Sequence, residues 1–310
     1  MLADAEHFVR APEWTWYILF YFFFAGLSGG SYFLASLMRV AGRPEDEPAA
    51  RVGSYVAFVA LLPCPVLLTL DLGQPLRFWH MLVNTGPDGM APIFKYWSPM
   101  SVGAWALVVF GIFATVSFGD ALVRDGRLRF LSWLFAPLRS PLGRLWHLVG
   151  GLLGLFIAGY TGVLLAVSNQ PVWSDTWVLG GLFLASGLSG SAALIAWLAH
   201  RRADAQGSMM ALARFERFFP WLELALLVAF VLLLIPPGAL DVAFAMPWLV
   251  LWVVAVVSLL PGLTGLVRAR TRVAADGTVA MASVRGVTWV ALLVLVGVLA
   301  LRAAVIFSAQ

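Results

Sequence analysis

Seven side chains in this 310-residue chain pair chemical reactivity with apolar surroundings: Tyr21, Asp71, His80, Tyr160, Thr161, Glu223 and Arg302. Tyr160 and Thr161 sit in Gly159-Tyr-Thr-Gly162. A tyrosine flanked by glycines can border a pocket for a flat ring, although helix packing explains the glycines equally well. Tyr21 offers a further hydroxyl. Asp71 ends an apolar run, and a carboxylate at such a rim is costly unless paired or wet. It reads as a proton acceptor or as half of a salt bridge to Arg77 or Arg302. His80 carries an imidazole, the side chain suited to a proton relay near neutral pH, and reads also as an ordinary surface histidine. Glu223 and Arg302 are ionisable groups inside apolar runs, which mark proton or ion routes or structural pairs. Their opposite depths predict that they do not pair with each other, and Arg302 is expected to meet Asp71 or Asp241.

The elements that hold these groups are membrane spans. Apolar runs lie at about 14–38, 52–72, 98–118, 145–167, 177–199, 219–237, 243–267 and 286–308. Each can cross a hydrocarbon core of roughly 30 Å at about 1.5 Å per residue. Runs this long and continuous are helices, because lipid offers no partner to an unpaired backbone group. Alternate connections hold 16 of the 20 Lys and Arg: Arg39, Arg43, Arg51; Arg124, Arg127, Arg129, Arg139, Arg144; Arg201, Arg202, Arg214, Arg217; and Arg268, Arg270, Arg272, Arg285. The other side has only Arg10, Arg77 and Lys95. The excess places the arginine-rich loops in the cytoplasm and both termini outside. The expected fold is an all-α membrane protein, with eight transmembrane helices as two four-helix bundles and both termini extracytoplasmic. Residues 1–200 hold the first bundle, and residues 201–310 form the second together with helix 5 (177–199). Tyr21, Asp71, Tyr160 and Thr161 then share the outer leaflet of helices 1, 2 and 4.

Composition excludes several classes. At 61% hydrophobic and a mean hydropathy of +0.90, there is no room for a soluble domain. The net charge of +4 suggests nucleic acid, but the arginines flank helices and leave no basic-aromatic patch, so no nucleic-acid partner is expected. The one cysteine, Cys64 in Pro63-Cys-Pro65, can form neither an internal disulfide nor an iron–sulfur site alone, and reads as a small buried residue in a kinked helix. His7, His80, His147 and His200 provide no facing pair for a haem and too few ligands for zinc or non-haem iron. The N-terminus does not read as a cleavable signal. Gly26 with Gly30, Gly150 with Gly154, and Ser186 with Gly190 are small-xxx-small ridges for close helix approach. Ser98 is a predicted N-cap with Pro99 at the first helical position.

Several segments in order resemble the NrfD/PsrC family, the membrane subunits of polysulfide reductase and related molybdopterin or cytochrome-nitrite systems. They are Gly26-Leu-Ser-Gly-Gly-Ser-Tyr32, Leu70-Asp-Leu-Gly-Gln-Pro75 with Arg77-Phe-Trp79, Ser98-Pro-Met-Ser101 with Gly103 and Trp105, and Gly159-Tyr-Thr-Gly-Val-Leu-Leu165 continuing to Pro171-Val-Trp173. The resemblance is carried by helices 1–5. It implies an eight-helix quinone-reactive anchor with no haem and no iron–sulfur cluster of its own. It also implies an extracytoplasmic partner with four iron–sulfur clusters and a molybdopterin or other catalytic subunit. Menaquinone or ubiquinone would bind in the first bundle near the outer face. Tyr160 matches the family's quinone-site tyrosine, Asp71 falls at the acidic end of helix 2, and Tyr21 stands where some relatives have histidine.

The expected function is therefore a subunit of a respiratory oxidoreductase in a bacterial inner membrane, not a complete enzyme alone. Tyr21, Tyr160 and Thr161 would bind the ring, Asp71 would exchange the proton and His80 would relay it. The iron–sulfur partner would dock on loops 73–97 and 168–176. Two other classes stand beside this one. A secondary transporter or proton channel would use Glu223 and Arg302, although the two halves lack paired broken helices. A purely structural anchor would bind no quinone.

Overall fold

The computed structural model describes residues 13–86, 89–265, 271–273, 279–281 and 284–310; His7, Arg10, Arg268 and Arg270 lie outside them. The first helix, α1 (Trp16–Ala41), opens at Thr15, whose hydroxyl accepts the Tyr17 N–H. A 3-10 turn (Pro44–Asp46) leads into α2 (Glu47–Leu61) and α3 (Pro63–Asp71). These two run almost end to end and are interrupted where Pro63 and Pro65 remove backbone donors. Cys64 is buried there, its thiol donating to the Ala60 carbonyl at 3.4 Å, in the role read from sequence.

The connection to the next helix has structure of its own in its described residues. It forms a 3-10 segment (Pro75–Met81) and an antiparallel hairpin of β1 (Val83–Gly86) and β2 (Gly89–Pro92), with Val83 opposite Pro92. Helix α4 (Pro99–Arg124) begins as predicted, with Pro99 first and the Ser98 hydroxyl accepting the Ser101 N–H. There follow α5 (Pro141–Ala166), α6 (Leu179–Ala199), a 3-10 segment (Ala203–Ser208), α7 (Met209–Leu233), a single turn α8 (Leu240–Ala243) and α9 (Trp248–Leu263). A second antiparallel pair, β3 (Thr271–Val273) and β4 (Val279–Met281), precedes α10 (Val284–Ser308).

Among the described residues, 6 helices are long and apolar enough to cross a membrane: α1, the Pro44–Asp71 segment, α4, α5, α6 and α10. Sequence reading expected eight. The two others are real helices that differ in kind. α9 has 16 residues, and α7 has 25 but carries Arg214, Glu216, Arg217 and Glu223 along its length.

Helix α1 is central, packing against α2, α3, α5, α6 and α10. Around it α4 touches α2 and α5, while α6, α7, α9 and α10 contact one another in sequence around a second group. Between lipid-embedded helices there is little hydrophobic drive, so close approach supplies the attraction. The approach is extreme where Gly29 of α1 meets Gly154 of α5: a Cβ on Gly29 would lie 2.3 Å from the Gly154 carbonyl oxygen. Hydrogen bonds join α1 to α2 and α4, and α5 to α4. Ser28 Oγ donates to Ala57 O at 2.6 Å, Tyr32 and Ser117 share a 2.8 Å bond, and Trp146 Nε1 donates to Ser117 Oγ at 3.1 Å. Such bonds average about 0.6 kcal/mol each in a membrane, so they orient helices more than they hold them.

The two halves are also joined at loop 168–176. Trp173 is fully buried, stacks on Trp14 at 5.2 Å and donates its indole N–H to Val305 O at 2.7 Å. Its neighbour Val172 has φ 67, a region costly for a β-branched residue, and is held there by a 2.7 Å bond from its N–H to Asp175.

At the arginine-rich end four cations, Arg39, Arg51, Arg124 and Arg202, form a network with carboxylates. Arg39 reaches Glu47 at 3.3 Å, Arg124 binds Asp120 at 2.7 Å, and Arg51 joins Asp125 and Asp204. Arg202 forks onto Asp125 with both bonds at 3.0 Å, and the Tyr55 hydroxyl donates to Asp125 at 2.7 Å. Burial pushes the Asp125 carboxyl up, but the Arg202 bond, the Tyr55 hydroxyl and Arg51 together hold it below the usual carboxylate range. Asp204 is lowered chiefly by its bond from Arg202. Both are acids depressed by folding, so their stabilisation is complete above the ordinary carboxylate pKa of about 3.9 and fades as pH falls below it. The thermal midpoint of the detergent-solubilised protein should therefore hold steady from neutral pH to about 4 and then fall. Asp125→Asn should cost about 2 kcal/mol at neutral pH, because two guanidiniums lose their shared anion. An unchanged midpoint in that variant would contradict the network's role.

Candidate functional site

A cavity of about 240 Å³ lies between α1, α3, α4, α5 and the 3-10 segment Pro75–Met81. Its walls are almost wholly apolar, with Leu68, Met81, Met100, Leu107 and Leu164 among them, and only Tyr21, Thr69 and Tyr160 bring hydroxyls. Tyr21 and Tyr160 face it from different helices and are close enough to interact electrostatically. The Tyr160 hydroxyl donates to the Pro99 carbonyl at 2.6 Å, which leaves its oxygen lone pairs as acceptors. The Tyr21 side chain is 3% exposed, and no described residue hydrogen-bonds its hydroxyl.

Gly103 completes this geometry. A Cβ there would sit 2.2 Å from the Tyr160 hydroxyl oxygen, so only glycine lets the phenol lie flat against α4 and reach Pro99. Sequence reading gave Gly103 no role at the site. The available signal was its position one turn beyond the Pro99 helix start. Of the two readings of Gly159 and Gly162, ring pocket or helix packing, the geometry matches packing: a Cβ on Gly162 would lie 2.2 Å from Leu179 O of α6, and one on Gly159 would lie 3.3 Å from Gly180 O.

The other predicted residues are distributed around this centre. Thr161 is fully buried, lies outside the cavity lining, and its hydroxyl has no hydrogen-bond partner. Asp71 is half-buried at the end of α3, between the lining residues Thr69 and Leu72, and forms no salt bridge with Arg77 or Arg302. His80 is exposed, packs edge-on against Trp79 at 4.0 Å, and sits between the lining residues Phe78 and Met81. Neither is itself among the lining residues. Around them the surface is unusually apolar for a loop, with Leu76, Met90, Tyr96 and Trp97 exposed.

Arg302 departs from its expected partners. It is fully buried, with Nε donating to Phe22 O at 3.2 Å, Nη1 to Ser186 Oγ at 2.9 Å and Val298 O at 3.1 Å, and Nη2 to Phe183 O at 3.1 Å. Neither Asp71 nor Asp241 is among these contacts. Gly26 makes the space, since a Cβ on it would lie 2.5 Å from Nη2. Glu223, expected to stand apart, shares this seam. Its carboxyl faces Ser186 and Ser189 and feels the Arg302 charge, while Oε2 is buried without a partner. Ser186 thus bridges the cation and the acid. Among the described residues, no three of His, Cys, Asp and Glu come together as a metal site would require.

The family model for polysulphide reductase, NrfD, matches residues 5–310. A polysulfide reductase chain of Wolinella succinogenes is 30% identical over 183 residues, 57% of the present sequence and 55% of that protein. Protein NrfD of Escherichia coli is 26% identical over 242 residues, 73% of each sequence. A selenate reductase subunit of Mesobacillus selenatarsenatis is 35% identical over 78 residues, 25% of the present sequence and 18% of that protein. The matched region therefore spans about half the length of the polysulfide reductase relative and under a fifth of the selenate reductase one. With apolar membrane-length helices and a match over nearly all of its residues, this multi-pass membrane protein belongs to the polysulphide reductase NrfD family.

Proposed function

We propose that this protein is the quinone-reactive membrane subunit of a respiratory oxidoreductase, exchanging electrons with an extracytoplasmic iron–sulfur subunit. The observation that carries the reading is the apolar cavity with two phenols from different helices. At about 240 Å³ it falls just below the roughly 300–1,000 Å³ of sites that enclose a drug-sized ligand, so it suits a ring whose tail lies outside. A bound quinol of the menaquinone or ubiquinone type would supply two electrons and two protons. The protein's part is to position and to move protons. Tyr160, its own proton engaged by Pro99, accepts a hydrogen bond from a ring hydroxyl. Tyr21, whose hydroxyl has no hydrogen bond among the described residues, serves the other ring oxygen. Asp71 takes the proton at the rim and His80 hands it to water. Thr161 stays in the assignment only as support for α5 beside Tyr160.

The partner docks over loops 73–97 and 168–176, a surface supported by the exposed Leu76, Met90, Tyr96, Trp97 and Trp177. The architecture proposed with this function is eight spans, with α7 and α9 as the two polar or short ones, in two four-helix groups with both termini extracytoplasmic. The first group is α1, α2–α3, α4 and α5, and the second is α6, α7, α9 and α10. Helix contacts support the grouping, and the excess of arginine at one end supports the sidedness.

Quinol oxidation by the assembled complex in membranes tests the site. Tyr160→Phe should lower kcat/KM roughly tenfold, and Asp71→Asn about a hundredfold. Gly103→Leu should abolish the reaction by displacing the Tyr160 ring, while the complex still assembles. Full activity in all three variants would contradict the assignment.

One observation favours a second, coupled role. Glu223 keeps a buried oxygen unpartnered beside Arg302, Ser186 and Ser189, as a proton-exchanging acid would. Glu223→Gln should leave quinol oxidation intact and reduce turnover-linked proton movement in vesicles at least about tenfold. Unchanged proton movement would leave the Glu223–Arg302 seam a structural feature.

A further inference from the structure

A second cavity, about 440 Å³, opens at the arginine-rich end, away from the phenol site. It lies where α1 ends, between the 3-10 turns Pro44–Asp46 and Ala203–Ser208 and the first turns of α7. Two arginines and two acids line it: Arg43, Arg214, Glu45 and Asp46. Its floor is apolar, with Met38 and Phe215 prominent.

Arg39, Arg51, Arg124 and Arg202 are all committed to carboxylates. Arg43 and Arg214 are exposed and make no ion pair among the described residues. Asp46 is held in place, its Oδ2 accepting the Arg43 N–H at 2.9 Å. Glu45 is pinned through its backbone, whose carbonyl accepts the Ser208 hydroxyl at 2.7 Å, while its side chain stays exposed. The acids and the free cations thus face one space from fixed backbones on both halves of the protein.

We propose that this cavity holds the headgroup of an aminophospholipid, a phosphodiester joined to a primary ammonium. Arg43 and Arg214 take the phosphate oxygens, for which guanidinium geometry is suited. Glu45 and Asp46 accept from the ammonium, which has three N–H donors. An acyl chain runs along Met38 and Phe215 into the bilayer. The mixed charge selects the occupant. A phosphatidylglycerol would leave the two carboxylates facing an uncharged glycerol. A phosphatidylcholine has no N–H to give them. Free phosphate would gain nothing from the apolar floor. Because the cavity walls come from α1 and α7, the bound lipid would also tie the two halves together.

The test uses the intact protein, delipidated in detergent and titrated with phosphatidylethanolamine, phosphatidylglycerol, phosphatidylcholine or inorganic phosphate, with bound lipid read by native mass spectrometry. One phosphatidylethanolamine should be retained, about tenfold more tightly than either other lipid. The Arg43→Gln/Arg214→Gln double variant should lose at least about tenfold of that affinity. Glu45→Gln should erase the preference over phosphatidylglycerol while retaining lipid. Each substitution is at an exposed side chain, and an unaltered thermal midpoint in lipid-free detergent certifies folding. If the double variant does not fold, the Glu45→Gln preference decides alone. Equal retention of all three lipids, displacement by inorganic phosphate, or an unaffected double variant overturns the proposal.

Discussion

Backbone contact along one side of α1 is the constraint on which the rest of this structure depends. Gly29 lies against Gly154 of α5, and Gly30 against the Gly187 carbonyl of α6, where a Cβ would come within 2.9 Å. Without side chains between them, three helices share an axis region that lipid cannot enter. The contact with α5 brings Tyr21 and Tyr160 to one cavity. The contact with α6 leaves Gly26 as the floor beneath the Arg302 guanidinium. A single helix therefore sets the depth of both the phenols and the buried cation.

Charge is handled in two ways that suit its surroundings. At the arginine-rich end, where water is near, Arg39, Arg51, Arg124 and Arg202 share carboxylates in one network. Inside the membrane, Arg302 is clasped mainly by neutral oxygens from α1, α6 and its own helix. Five guanidinium donors are thereby mostly met without a carboxylate in direct contact. Removing one partner from such a site leaves a buried charge exposed to hydrocarbon, which costs more than the bond itself contributes. The seam that continues to Glu223 through Ser186 is polar but sparse, the kind of place where an ordered water commonly completes the bonding.

The sequence made some of this readable and hid the rest for geometric reasons. Apolar runs and alternating arginines reveal the long helices, and Ser98-Pro99 marks the start of α4, because these signals are local. For Gly159 and Gly162 the sequence left ring pocket and helix packing equally open. Residues adjacent to Tyr160 in sequence turn about 100° per step around the helix, so they face α6 while the phenol faces α4. Thr161 leaves the cavity for the same reason. The space beside Tyr160 comes from Gly103 on another helix, which no neighbourhood pattern encodes. Glu223 and Arg302 were separated by their apparent depths, yet a long side chain and an intervening serine bring them into one network. α7 and α9 read as spans in the sequence because an apolar average tolerates the polar stripe of the one and the shorter length of the other.

The central claim, that a redox-active ring is held between α1, α4 and α5, is tested most directly by labelling the assembled complex with a photoreactive quinone analogue and mapping the modified residues. The account predicts adducts on the segments carrying Tyr21, Gly103 and Tyr160, reduced by competing native quinone. Label confined to α6, α7, α9 and α10, with the first segments clean, would contradict it.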